Sequence, residues 1–101
     1  MSKLEPMQHS QYYHIYNRGN NGEVLFREQR NYSYFLNLYA RYIKPVAETY
    51  AYCLMNNHFH LLVRIEDKDR SYEASHAFAN LFGTYTKAFN KAYQRTGSLI
   101  E

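Results

Sequence analysis

His58-Phe59-His60 is the stretch whose residue types and spacing can do chemistry. Neutral imidazole is a good ligand for divalent metals. Two histidines two positions apart on a β-strand leave the same face, so both can reach one ion. The same spacing also fits two surface or hydrogen-bonded histidines, and the surroundings favour the metal. The pair follows the turn signal Asn56-Asn57 and opens the apolar run Phe59 to Ile65. Alternation sends Phe59, Leu61 and Val63 to a core, and His58, His60, Leu62 and Arg64 to an open face. Upstream, if Ile15 packs inward, His14, Tyr16 and Arg18 share that open face. Arg18 then stands at a strand end, where it can meet a phosphate. A hard cation such as Mg²⁺ or Mn²⁺ wants about six ligands, mostly oxygens. No carboxylate lies near the pair in sequence; Glu66 and Asp67 follow the strand and Glu101 is the last residue. The ligand set is expected to be incomplete.

Those side chains need a frame, and the apolar spacing predicts one. Tyr12 to Arg18 reads as a strand, ended by Gly19-Asn20-Asn21-Gly22, whose residues tolerate positive φ. Tyr32, Phe35, Leu36, Tyr39, Tyr42 and Ile43 fall at helical spacing, and Lys44-Pro45 closes that helix. Ala47 to Asn56 and Phe59 to Ile65 read as strands joined in a tight antiparallel hairpin. Glu66 to Arg70 is charged loop. Asp69 or Ser71 can cap a second helix with the stripe Phe78, Leu81, Phe82, Tyr85, Phe89, Ala92 and Tyr93, stopped by Gly97. Ser98 to Glu101 can begin a fourth strand. The fold class is therefore α+β, in the ferredoxin-like split β-α-β-β-α-β order, an antiparallel sheet with two helices on one face. One domain is expected over 12–101, behind an N-terminal arm at 1–11. Lys87, Lys91 and Arg95, at i, i+4 and i+8, form a basic ridge that either follows a DNA backbone or is a solvated helix face.

Composition sets outer bounds. The chain has 101 residues, 46% of them apolar, with a formal net charge of +3, which favours an anionic partner without proving one. Twelve tyrosines and no tryptophan supply rings with polar tips, suited to core edges or to stacking on bases. Cys53 is the single cysteine, so an internal disulfide is excluded. There is no run of about 18 apolar residues to span a membrane, and residues 1–8 lack a signal peptide's apolar stretch. A cytoplasmic location is expected.

Tyr13-His14-Ile15-Tyr16-Asn17-Arg18-Gly19-Asn20-Asn21, then Phe26, Asn31-Tyr32 and Phe35-Leu36, then Ala51 to Val63 through Met55-Asn56-Asn57-His58-Phe59-His60-Leu61-Leu62, resemble the HUH-type single-strand transposases. The likeness is greatest to the REP-associated tyrosine transposases. Tyr85-Thr86, Phe89-Asn90 and Gly97-Ser98-Leu99 extend it, and Asn56 departs from it where the family often has proline. The resemblance implies a metal-dependent endonuclease and strand transferase acting on single-stranded or hairpin DNA. It assigns the metal to His58 and His60. It also implies a tyrosine nucleophile, forming a 5′-phosphotyrosine, on a further helix beyond Glu101, with a third metal ligand there. This chain alone is then expected to be inactive, unless another copy supplies the helix; a homodimer is expected. Asn17, inside the matched stretch, joins His14, Tyr16 and Arg18 as an expected DNA contact.

The competing expectation is a non-catalytic ferredoxin-like module that binds single-stranded nucleic acid. There Tyr16, Tyr50 and Tyr52 would stack on bases. Against it, no RNP-type pattern occurs, and the third strand carries histidines where stacking aromatics would stand.

Overall fold

A computed structural model describes residues 11–66 and 71–101. Most of the expected arm and the Asp69 cap lie outside the described residues. Gln11, counted with the arm, already accepts the Ile65 N–H on its carbonyl at 3.2 Å.

The elements run β1 (Tyr12–Arg18), a 3₁₀ turn (Asn20–Gly22), α1 (Gln29–Tyr42), β2 (Ala47–Met55), β3 (His58–Ile65) and α2 (Ser71–Ala92). The three strands form one antiparallel sheet in the order β1-β3-β2. Alternation along β3 buries Phe59, Leu61, Val63 and Ile65. Phe59 packs on Phe35 of α1, rings 5.5 Å apart, and on Phe82 of α2, 5.3 Å apart. Both helices thus cover one face of the sheet. α1 also buries Asn31 and Leu38, which the apolar stripe omitted. Asn31 sits at the helix start, where its Oδ1 accepts the Arg27 and Glu28 N–H groups at 2.7 and 2.9 Å, closing a capping box with Glu28.

The hairpin turn Asn56-Asn57 fixes the end of β3. The Asn56 carbonyl accepts the N–H groups of Leu25 and Phe26, and the Asn57 carbonyl accepts that of Gly19. Gly19 allows this close approach, because a Cβ there would stand 1.9 Å from the Glu23 carbonyl oxygen. The turn beyond it holds Asn21 and Gly22 at φ of 55° and 75°, as those residue types predict.

α2 stops earlier than Gly97. Its last helical residue is Ala92; Gln94 takes φ of 51° and the Arg95 N–H returns to the Asn90 carbonyl at 2.9 Å. That is a Schellman ending with glutamine where glycine is usual. Gly97 (φ 86°) instead turns the chain toward the sheet. There the expected fourth strand amounts to one bridge, Gly19 to Ile100, with Asn20 N–H on the Leu99 carbonyl and Glu101 N–H on that of Arg18. In β2 the register shifts between Thr49 and Ala51, so Tyr50 is an extra, bulged residue. Among the described residues no helix is long and apolar enough to cross a membrane.

Candidate metal centre on the open sheet face

His58 and His60 leave β3 on the side away from the helices, because Phe59 and Leu61 between and beyond them are buried. Their rings stand 5.3 Å apart and nearly perpendicular, at 88°. Both are half-buried. The β1–β3 register sets Tyr16 opposite His60, Arg18 opposite His58 and His14 opposite Leu62. Tyr16 accordingly lies against both rings, 4.7 Å from His60 and 6.2 Å from His58. From β2, Cys53 stands opposite His60 and Met55 opposite His58.

Each histidine has one ring nitrogen engaged. His58 Nδ1 lies 3.0 Å from Asn57 Oδ1, and an amide oxygen only accepts, so the proton sits on Nδ1 and Nε2 keeps its electron pair. His60 Nδ1 lies 2.9 Å from His14 Nε2. Burial, then the neighbouring His14 and His58, lower the His60 pKa below the ordinary imidazole value, which favours the neutral, ligating form. The donor set therefore fits two nitrogen ligands for a divalent cation. Among the described residues, no three of His, Cys, Asp and Glu converge on one ion.

The remaining expected contacts divide between the layers. Arg18 is exposed at the end of β1 and its Nε meets Glu101 Oε2 at 2.9 Å. This brings the Glu101 side-chain carboxylate to the site's edge, a contact that sequence distance concealed. Asn17 does not share the open face: it stands opposite Phe59, is buried, and accepts the Arg18 N–H at 2.9 Å. Lys87 and Lys91 are exposed on α2, in the layer behind the sheet. Arg95 leaves their line, because α2 has already ended. It pairs in a fork with Glu23 and donates to Asn90 Oδ1 and the Gly97 and Ser98 carbonyls. Of Tyr16, Tyr50 and Tyr52, the first two lie on the open face, and Tyr12 joins Tyr50 with rings 5.4 Å apart. Tyr52 stands opposite buried Leu61 and so belongs to the other face.

Asn57 and Tyr12 were not singled out by the sequence pattern. Asn57 was visible only as a turn residue, and Tyr12 only as a strand end. Compared with protein-family models, with curated proteins and with solved structures, the chain finds no match.

Proposed function

We propose that this chain is the nuclease core of a HUH-type single-strand transposase, with a ferredoxin-like sheet whose fourth strand continues from the Gly19–Ile100 bridge. One observation carries the proposal. His58 and His60 stand side by side on the helix-free face, and the Nε2 of His58 keeps its electron pair while that of His60 has no partner among the described residues. They would hold Mg²⁺ or Mn²⁺, which when bound supplies a Lewis acid for a phosphate oxygen of single-stranded or hairpin DNA. Tyr16 borders the pair and can stack on a base beside the bound phosphate. Arg18 supplies a guanidinium at the strand end, once it parts from Glu101. Tyr85 is no candidate nucleophile, since it is buried and its hydroxyl donates to the Leu25 carbonyl at 2.5 Å. The exposed face, with Met55 and Leu62 beside Tyr12 and Tyr16, also suits a second copy of the chain. A reducing, cytoplasmic setting suits its free Cys53.

Calorimetric titration with Mn²⁺ tests the assignment. Wild type is expected to bind, and His58→Ala and His60→Ala each to lose at least about ten-fold in affinity, as removal of one of two protein ligands should. A chelator is expected to weaken binding of hairpin DNA. Mn²⁺ binding that survives the double substitution would sink the metal site.

A non-catalytic module is the second reading, favoured by the Tyr12–Tyr50 pair, two residues that are 59% and 53% exposed. Equal affinity for RNA and DNA, indifferent to chelator and to His60→Ala, would decide for it.

A further inference from the structure

One proton lies between His60 Nδ1 and His14 Nε2, and its owner decides what His60 can bind. If His14 Nε2 carries the proton, His60 must accept at Nδ1. Its own proton then sits on Nε2 and blocks the electron pair a metal needs. If His60 Nδ1 carries it, Nε2 is left open.

We propose that His14 is a positioning residue: its Nε2 accepts the proton of His60 Nδ1 across the β1–β3 pair, and so holds His60 in the form whose Nε2 can bind a divalent cation. This rests on the metal assignment made above and adds a role for a first-strand residue expected only to contact DNA.

The contact is built by the fold. His14 and His60 sit on adjacent strands one diagonal step apart, since His14 faces Leu62 and Tyr16 faces His60. Their rings are nearly parallel, at 18°, with centroids 5.1 Å apart, and the Nε2 to Nδ1 distance is 2.9 Å. Tyr16 lies against His60 at 4.7 Å, so two rings limit its rotation. His58 is held in the same sense by a different acceptor, the Asn57 amide oxygen. With His14 as acceptor, both histidines present Nε2 and the pair becomes matched. Metal-bound histidines commonly donate their second ring N–H to an oxygen acceptor. Here an imidazole nitrogen takes that place. While it does so, His14 Nε2 is not free to ligate the ion itself.

The test is nitrogen NMR on ¹⁵N-histidine-labelled, metal-free protein, at a pH where both rings are neutral. Wild-type His60 is expected to be protonated at Nδ1. In His14→Phe it should revert to the Nε2-protonated form that a free imidazole favours. In His14→Gln, whose amide oxygen can accept, the Nδ1 proton should return. His14 is exposed, so these changes leave the core intact. Mn²⁺ affinity should fall about ten-fold in His14→Phe, the low end for losing such a partner, and recover in His14→Gln. A wild-type His60 protonated at Nε2, a protonation state unmoved by His14→Phe, or an unchanged Mn²⁺ affinity would overturn the role given to His14. Wild-type protein that binds no Mn²⁺ would instead overturn the metal assignment, and the nitrogen spectrum would still decide His14 by itself.

Discussion

Tyr85 and Tyr16 are the same residue type in opposite circumstances. Tyr85 is enclosed by Phe26, Phe35 and Phe89, and burial pushes its phenol far above the ordinary value, so it stays protonated. Tyr16 is half exposed beside two imidazoles. Helical spacing already placed Tyr85 in the core, and strand alternation already set His58 and His60 apart from Phe59. Alternation also set His14 on the pair's open face, but the hydrogen bonds of Asn57 and His14 were not legible, because they depend on register and side-chain rotation that no local pattern encodes. Ion pairing shows the same limit. Arg95 fitted a helical ridge by spacing, yet it is 15% exposed and paired with Glu23, itself 30% exposed. The Arg95 hydrogen bond, foremost among the causes, lowers the Glu23 pKa from its ordinary 4.5. A carboxylate with a depressed folded value stabilises fully above its ordinary pKa and loses that contribution as pH falls toward the folded value. Wild-type melting temperature is therefore expected to drop more steeply than that of Glu23→Gln as pH falls below 4.5, in paired thermal scans. Parallel curves would show that the pair contributes nothing to acid stability.

Among the elements, strand and helix bodies followed their apolar periods, while ends were decided by tertiary contacts. α2 illustrates this: Gln94 tolerates a left-handed backbone because the chain after it is fastened by Arg95 to Glu23 and to the Gly97 and Ser98 carbonyls. The 19–23 turn is fixed from the same side. Gly19 carries the Asn57 carbonyl on its N–H and the Ile100 bridge, with no room for a Cβ against Glu23. Gly19→Ala must move backbone rather than a pliant side chain. It is expected to cost about 2 kcal/mol or more, within the range for forcing extra atoms into a filled site, measured by urea denaturation. Because Asn57 leads into His58, Mn²⁺ affinity should fall in the same variant. A loss under about 0.5 kcal/mol, the level of an ordinary surface change, would mean the turn adapts freely.

For the whole molecule, one aromatic and aliphatic layer between sheet and helices decides stability. Phe59 lies at its centre, fully buried and touching a ring from each helix. Phe59→Ala is expected to cost about 3–5 kcal/mol, enough to leave a chain of this size partly unfolded at room temperature, as circular dichroism with urea would show. The α+β layering was legible because β3 alternates strictly. The start of a fourth strand at Ser98 to Glu101 was legible too, and among the described residues it amounts to the single Gly19–Ile100 bridge. β2 has one flank without a neighbour in the described sheet, and such an edge invites strands from other molecules. The supernumerary Tyr50 breaks its run of paired residues between Thr49 and Ala51. An incoming strand would match either the segment before the break or the segment after it, but not both in one continuous ladder. A single misfitting residue thus discourages the chain from polymerising through its own border, while the histidine face beside it stays open.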